Sequence, residues 1–220
     1  MPDNRRTRES IRVNIALNEA LPCKVQGCPK RRWRVSPYCC QHDQQNRKWG
    51  HPEATAIHHR EYAPYIEEVT RLLDANPEHA GVKLGVTFFK RWIEEAEVVG
   101  AGPCPYRVAK YRGVIDPRDI LIEIAAVWVY AKEHPERVKH ATHLRHLLGA
   151  KLLTLGSRVR ELWEPNGKAI TPATGKDYRE AGRVILVQIG ELLKTIHEGV
   201  VARREMVEHK VNVQKQPFTS

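Results

Sequence analysis

Four cysteines and one histidine lie within the twenty residues from Cys23 to His42, and both residue types bind metal ions. Cys23 and Cys28 have four residues between them, and Cys39 and His42 have two. Ten residues separate the two pairs, enough for a loop that lets the pairs converge. Pairs of thiolate and imidazole ligands at such spacing are typical of a tetrahedral Zn²⁺ site. We therefore expect one zinc ion bound by Cys23, Cys28, Cys39 and His42.

Cys39 and Cys40 compete for the third ligand position. Cys39 leaves two residues before His42, a spacing that suits a turn entering a helix, whereas Cys40 leaves only Gln41. We therefore predict that Cys39 is the ligand and that Cys40 is a small buried apolar residue. With four protein ligands, no position is left for a substrate water, so we expect a structural ion.

Positive charge is concentrated around the predicted metal site. The net charge of the 220-residue chain is +10, and residues 1–60 carry 12 Lys and Arg against 5 Asp and Glu. A basic patch beside a zinc module favours nucleic acid as the partner. We expect nucleic acid, and DNA in the first instance, to be contacted by the basic residues Lys30, Arg31, Arg32, Arg34, Arg47 and Lys48.

Trp33 lies in the middle of this basic loop, and two roles are open to it. It could stack on a base or sugar of the nucleic acid. It could instead cover the metal site together with Val25, Val35 and Tyr38. We favour the core role, because so small a module has few other apolar residues.

The stretch from Cys23 to Pro52 resembles a known module. Its pattern, C-x4-C-P, a basic loop, Y-C-x2-H and R-x2-G-H-P, is similar to the zinc-binding module of phage and mobile-element HNH endonucleases. The recombination endonuclease VII type is the nearest comparison. The resemblance implies a helix over Gln44–Trp49 that stops at Gly50, association with DNA, and an origin in a phage or mobile element. The catalytic order of an HNH nuclease does not follow residue 52, so nuclease activity is not implied.

The rest of the chain is expected to be helical, so we predict a mainly α protein with a small zinc module followed by a helical domain. Apolar spacing predicts helices over Ser10–Leu21, Tyr62–Ala75, Lys83–Val99, Ile120–Tyr130, Arg137–Trp163 and Asp177–His209. The predicted parts are a basic arm and short helix (1–22), the zinc module (23–52), a helical domain (53–211) with a second boundary near 100–116, and a disordered tail (212–220).

Three of these helices carry further expectations. Ile120–Tyr130 is apolar nearly all round and follows the helix start Asp116-Pro117, so it should be the buried central helix. The last helix has a wide apolar stripe that suits core packing, with a second copy or a protein partner as the alternative. The helix from Arg137 is expected to carry a solvated cationic face, a second candidate surface for nucleic acid, formed by Lys139, His140, His143, His146, Lys151 and Arg158.

Other functional classes receive little support from the sequence. No apolar run is long enough for a membrane span, and the polar N-terminus lacks a secretory signal, so we expect no membrane partner and a cytoplasmic or virion-associated location. Phosphate-binding, hydrolase and kinase motifs are absent. We therefore expect a non-catalytic nucleic-acid-binding protein. Two alternatives stay open, a divergent nuclease or nuclease subunit and a zinc-stapled protein-interaction or virion-assembly protein.

Overall fold

The computed structural model describes residues 4–95, 108–155 and 173–215, and these ranges form seven helices and no strand. The helices are α1 (Asn4–Glu19), α2 (Cys40–Trp49), α3 (His59–Ala75), α4 (Ala80–Glu94), α5 (Pro117–Glu133), α6 (Ala141–Thr154) and α7 (Gly175–Lys215). The predicted mainly α fold is thereby confirmed. None of these helices is long and apolar enough to cross a membrane.

The chain divides into two compact units. The first comprises residues 1–56 with 136–143, and the second comprises residues 57–135 with 144–220. Helices α1 and α2 belong to the first unit, and α3, α4, α5 and α7 belong to the second. Residues 96–107 near the predicted second boundary, and residues 216–220 of the predicted tail, lie outside the described ranges.

Helix α5 is the central helix of the second unit, as its apolar sequence predicts. The Asp116 carboxylate caps it by accepting a hydrogen bond from the backbone N–H of Arg118, and Pro117 is its first residue. Every residue from Ile120 to Ala131 except Glu123 is buried. Helices α3, α4 and α7 pack against α5, which explains why its sequence has no polar face.

Helix α6 does not carry the predicted solvated cationic face, although Lys139 and His140, which come just before it, are exposed, and Arg158 lies outside the described residues. His143 and His146 are almost completely buried, and Lys151 is only 7% exposed. In the second unit, the Lys151 ammonium lies 2.5 Å from a Glu123 carboxylate oxygen and donates a hydrogen bond to the Tyr62 hydroxyl at 2.7 Å. The prediction failed because helical spacing shows which residues share a face and does not show which faces other helices cover. The predicted extension of this helix to Trp163 lies outside the described residues.

Two glycines let α6 and α7 approach closely within the second unit. A Cβ atom on Gly149 would lie 1.8 Å from the backbone oxygen of Tyr178, and one on Gly182 would lie 1.8 Å from that of Arg145. No side chain fits into such a gap. The absence of a Cβ atom at these two positions therefore sets the helix spacing.

Helix boundaries differ from the predicted ones mainly at the chain ends. Helix α1 begins at Asn4, six residues before the predicted Ser10, and α7 extends to Lys215, into the predicted tail. Helix α7 also contains a kink at Ile189, where φ is −129° and ψ is 16°. Its apolar stripe is buried as far as Val200, whereas Met206 is 60% exposed. Core packing thus accounts for the stripe only up to Val200, and a partner for the remainder stays a prediction.

Candidate metal centre

The four predicted ligands converge in the first unit. One ligand atom from each of Cys23, Cys28, Cys39 and His42 lies within 4.8 Å of all the others. The sulfur atoms of Cys28 and Cys39 are 3.9 Å apart, and the His42 Nδ1 atom lies 3.4 Å from the Cys23 sulfur and 3.5 Å from the Cys39 sulfur. All three cysteines are free thiols. This arrangement is compatible with a single metal ion bound by all four side chains.

A tight turn positions the first pair of ligands. The backbone N–H of Cys23 donates to the Lys30 carbonyl at 2.9 Å, and that of Cys28 donates to the Val25 carbonyl at 3.1 Å. Gly27 has a φ of 75°, in the left-handed region that a residue without a Cβ atom enters without strain. The chain therefore reverses between Cys23 and Cys28, which brings both sulfur atoms to the same side.

The second pair of ligands is positioned by the start of α2. Cys39 is the N-cap residue in an extended conformation, and His42 follows in the first helical turn. The backbone N–H of Cys39 donates to the Cys23 sulfur at 3.3 Å, which links the two pairs directly. Helix α2 begins four residues before the predicted Gln44 and ends at Gly50, the predicted stop.

Cys40 stands apart from the cluster, and the prediction that it is buried is wrong. Its side chain is exposed, and its sulfur accepts a weak hydrogen bond from the Gln44 amide at 3.6 Å. Cys40 is the first residue of α2, where consecutive side chains point about 100° apart. The helix therefore directs Cys40 away from the atoms that surround the Cys39 sulfur.

The thiols of the cluster differ in acidity. Burial raises the pKa of Cys23, but its interaction with the His42 ring and hydrogen bonds from the backbone N–H groups of Val25 and Cys39 lower it to about 6. The backbone N–H of Lys30 lowers the pKa of Cys28, but burial and the neighbouring sulfur atoms outweigh it, so this pKa is raised. The lowered pKa of Cys23 favours its thiolate, the form that binds a metal ion.

The loop between the ligand pairs is held by the end of α1. The Asn18 side-chain amide donates to the backbone oxygen of Arg34 at 2.7 Å and to that of Ser36 at 2.8 Å. The Glu19 carboxylate accepts a hydrogen bond from the Arg34 backbone N–H at 3.1 Å. Sequence reasoning missed both residues, since the only signal was a polar pair at the end of an amphipathic helix.

Five of the six predicted phosphate contacts have exposed side chains, and four of these, Lys30, Arg31, Arg34 and Lys48, form no ion pair within the described ranges. The Lys30 ammonium lies 3.1 Å from the side-chain oxygen of Gln41, an exposed interaction that water can replace. The Arg31 guanidinium has no hydrogen bond or ion pair within the described ranges. These four side chains thus carry their charge at the surface of the first unit.

Arg32 and Arg47 are engaged within the first unit. The Arg32 guanidinium is half-buried and donates to the Pro22 carbonyl at 3.0 Å and to the Asn18 side-chain oxygen at 3.2 Å. Arg47 forms an ion pair with the buried Asp43 at 2.8 Å, one helical turn earlier in α2. Arg32 therefore has a structural role, whereas Arg47 is an exposed side chain whose charge is partly offset by Asp43, which makes both weaker candidates for phosphate binding.

Trp33 is not a buried core residue as predicted. Its side chain is 40% exposed, and its predicted companion Val35 is 72% exposed. Within residues 23–54 the buried residues are instead Cys23, Ser36, Cys39, Asp43, Pro52 and Ala54. Ligand side chains that converge on one point need no aromatic cover, so the preference for a core role of Trp33 was wrong.

Comparisons with known proteins leave the geometry as the main guide to function. No protein-family model matches the chain, and no curated protein and no solved structure matches it. The resemblance of residues 23–52 to the zinc-binding module of HNH endonucleases stays a prediction. The metal-ligand cluster and the cations around it are therefore the features that indicate a function.

Proposed function

We propose that this chain binds nucleic acid, with DNA as the expected form, through a basic surface that one structural Zn²⁺ ion holds in shape. The observation that carries the proposal is the convergence of Cys23, Cys28, Cys39 and His42 at both ends of a cationic loop. The resemblance to the module of phage and mobile-element HNH endonucleases adds the expectation of DNA.

Zinc fits the chemistry of the four ligands. Three thiolates and one imidazole are a common ligand set of structural zinc sites. With Zn–S bonds of about 2.3 Å and Zn–N bonds of about 2.05 Å, a tetrahedral ion separates two sulfur atoms by about 3.8 Å and a sulfur and a nitrogen by about 3.6 Å. The corresponding distances are 3.9 Å between Cys28 and Cys39 and 3.4–3.5 Å from His42 to the sulfur atoms of Cys23 and Cys39. Four protein ligands complete the tetrahedron, so the ion has a structural role.

The cationic loop supplies the binding surface. A loop whose two ends are fixed by one ion has already lost much of its conformational entropy, so it can present cations at little further cost. Lys30, Arg31 and Arg34 lie in this loop, and Lys48 follows in α2. These four exposed cations would contact phosphates. The half-buried Arg32 would support the surface from within, and the exposed Arg47, paired with Asp43, would add a weaker contact.

A salt series tests the proposal. The ligand is a 20-base-pair DNA duplex with a ten-nucleotide single-stranded tail, and its affinity is measured from 50 to 300 mM KCl. Four phosphate contacts predict a slope of log K against log salt between about −2.8 and −3.6. A variant with all four exposed cations changed to alanine should lose nearly all of this salt-dependent affinity.

The control variant removes the same charge from the second unit. Lys83, Lys90, Arg91 and Arg183 are exposed and form ion pairs with neighbouring acidic residues, so replacing them with alanine changes the net charge equally. This control should bind the tailed DNA almost as tightly as the unaltered protein. The proposal is wrong if the unaltered protein does not bind at 50 mM KCl, or if both variants lose the same affinity.

A protein-binding role is the second candidate, and the surface of α1 favours it. Ile11, Val13 and Leu17 are 49%, 52% and 64% exposed, which is unusual for three apolar residues within two helical turns. In this case zinc would only stabilise the module. Capture of a protein that depends on Leu17, by a chain without affinity for the tailed DNA, would favour this role.

A further inference from the structure

The exposed aromatic ring of Trp33 needs a functional explanation. Trp33 lies in the loop between the two ligand pairs, and 40% of its surface is exposed. A tryptophan in so small a unit would normally contribute to the core, because burying its large ring is strongly favourable. Here two of the metal ligands, Cys23 and Cys39, are buried, and the ring is left partly exposed in the cationic loop.

The backbone around Trp33 is fixed more firmly than a surface loop requires. Arg34 has a φ of 51°, in the left-handed region that residues with a side chain rarely adopt. Hydrogen bonds from Asn18 to the Arg34 carbonyl and from the Arg34 N–H to Glu19 hold this conformation. The N–H of Trp33 itself donates to the Tyr38 carbonyl at 2.8 Å. Such strain is retained where the surroundings enforce it, often at a binding site.

The fixed loop places a cation over the Trp33 ring, so a stacking base either uses the opposite face or displaces this cation. The central guanidinium carbon of Arg34 lies 5.3 Å from the centre of the Trp33 ring, and Arg31 is exposed two residues earlier. An aromatic face next to guanidinium groups matches the two parts of a nucleotide, since the base stacks on the ring and the phosphate binds the cation. The bases of a duplex are already stacked on one another and cannot offer their faces. An unpaired base has a free face that can stack on an aromatic side chain.

We infer that Trp33 is a stacking surface for an unpaired base, which makes single-stranded nucleic acid the preferred ligand of this loop. The inference rests on the proposed nucleic-acid binding and goes beyond it by naming the strand form. Phosphate contacts alone would bind a duplex at least as well, because a duplex carries the higher charge density. Stacking adds affinity only for the single strand.

The test compares single strands and a duplex on a matched pair of variants. Trp33→Phe keeps an aromatic face, and Trp33→Leu keeps apolar bulk without one. The probes are a fluorescein-labelled 15-nucleotide DNA, the RNA of the same sequence, and the blunt 15-base-pair DNA duplex. Trp33→Leu should weaken binding of a single strand about tenfold, which corresponds to about 1.4 kcal/mol, and change duplex binding less than twofold. Trp33→Phe should stay within threefold for all probes, and the DNA and RNA arms show which strand the loop prefers.

Val35→Ala is the control for a general disturbance of the loop, because Val35 is 72% exposed in the same segment. It should bind every probe like the unaltered protein, and the zinc content of each variant is measured in parallel. An equal loss for single strand and duplex in Trp33→Leu would make the ring a structural support and overturn the inference. No loss in this variant would do the same while leaving the proposed function standing. An unaltered protein that binds none of the probes would overturn both.

Discussion

Arg31 and Arg32 provide a test of which cations of the loop stabilise the fold and which bind nucleic acid. Arg31 is exposed, whereas the half-buried Arg32 donates hydrogen bonds to the Pro22 carbonyl and the Asn18 side chain. Hydrogen bonds from a charged group contribute about 1.5–3 kcal/mol each when they are buried. Because Arg32 is partly exposed, we expect Arg32→Ala to destabilise the folded module by a total of about 1.4–2 kcal/mol.

This destabilisation should be measurable as a change in metal affinity, since folding and metal binding are coupled in small zinc modules. A chelator-competition titration should show the apparent zinc affinity of Arg32→Ala reduced about 10- to 30-fold. Arg31→Ala should leave the zinc affinity within twofold. The same variant should instead make the salt slope for tailed DNA shallower by about 0.7–0.9, which weakens binding about five- to eightfold at 0.1 M salt. Equal effects of the two substitutions on zinc affinity would refute this division of roles.

Three further predictions concern buried residues of both units. Lys151→Met should destabilise the protein by about 3 kcal/mol in urea unfolding, because it leaves the partly buried Glu123 carboxylate without its partner, and adding Glu123→Leu should restore most of the loss. Burial lowers the pKa of His143 to about 4, so the unfolded chain takes up this proton first, and the free energy of unfolding should fall by up to about 3 kcal/mol as the pH drops from 6.5 to 4. His143→Gln should remove that part of the pH dependence, and an unchanged profile would contradict the assignment. Gly149→Ala should cost about 3 kcal/mol, because the new Cβ atom would overlap the Tyr178 carbonyl, and an unchanged midpoint in urea would show that the helices can separate freely.

Signals that are local in the sequence predicted the structure well. The spacing of Cys23, Cys28, Cys39 and His42 indicated their convergence, because two short turns joined by one loop leave few other arrangements. The signal for the start of α5 was also local, because one N-cap residue, Asp116, and one proline, Pro117, specify it.

Features that depend on distant parts of the chain were not predictable in this way. The spacing of His143, His146 and Lys151 placed them on one helix face, but the sequence does not show that other elements bury that face. The same limit applies to Trp33, whose exposure depends on how completely the metal ligands fill the interior of the small unit. The role of Asn18 was not predicted, because its side chain donates to backbone carbonyl groups. Every residue has such a group, so no particular residue type in the sequence indicates the contact.

The central claim is that one zinc ion holds the basic loop in the form that binds nucleic acid. The most direct measurement determines zinc content and tailed-DNA affinity together, for the unaltered protein and for two adjacent variants, Cys39→Ser and Cys40→Ser. Cys39 belongs to the ligand cluster and Cys40 is exposed outside it, so the two substitutions differ in position by one residue only. We predict one zinc ion per chain and full DNA binding for the unaltered protein and for Cys40→Ser, and the loss of both for Cys39→Ser. A metal-free chain that binds the DNA unchanged, or equal zinc content in the two variants, would contradict the account.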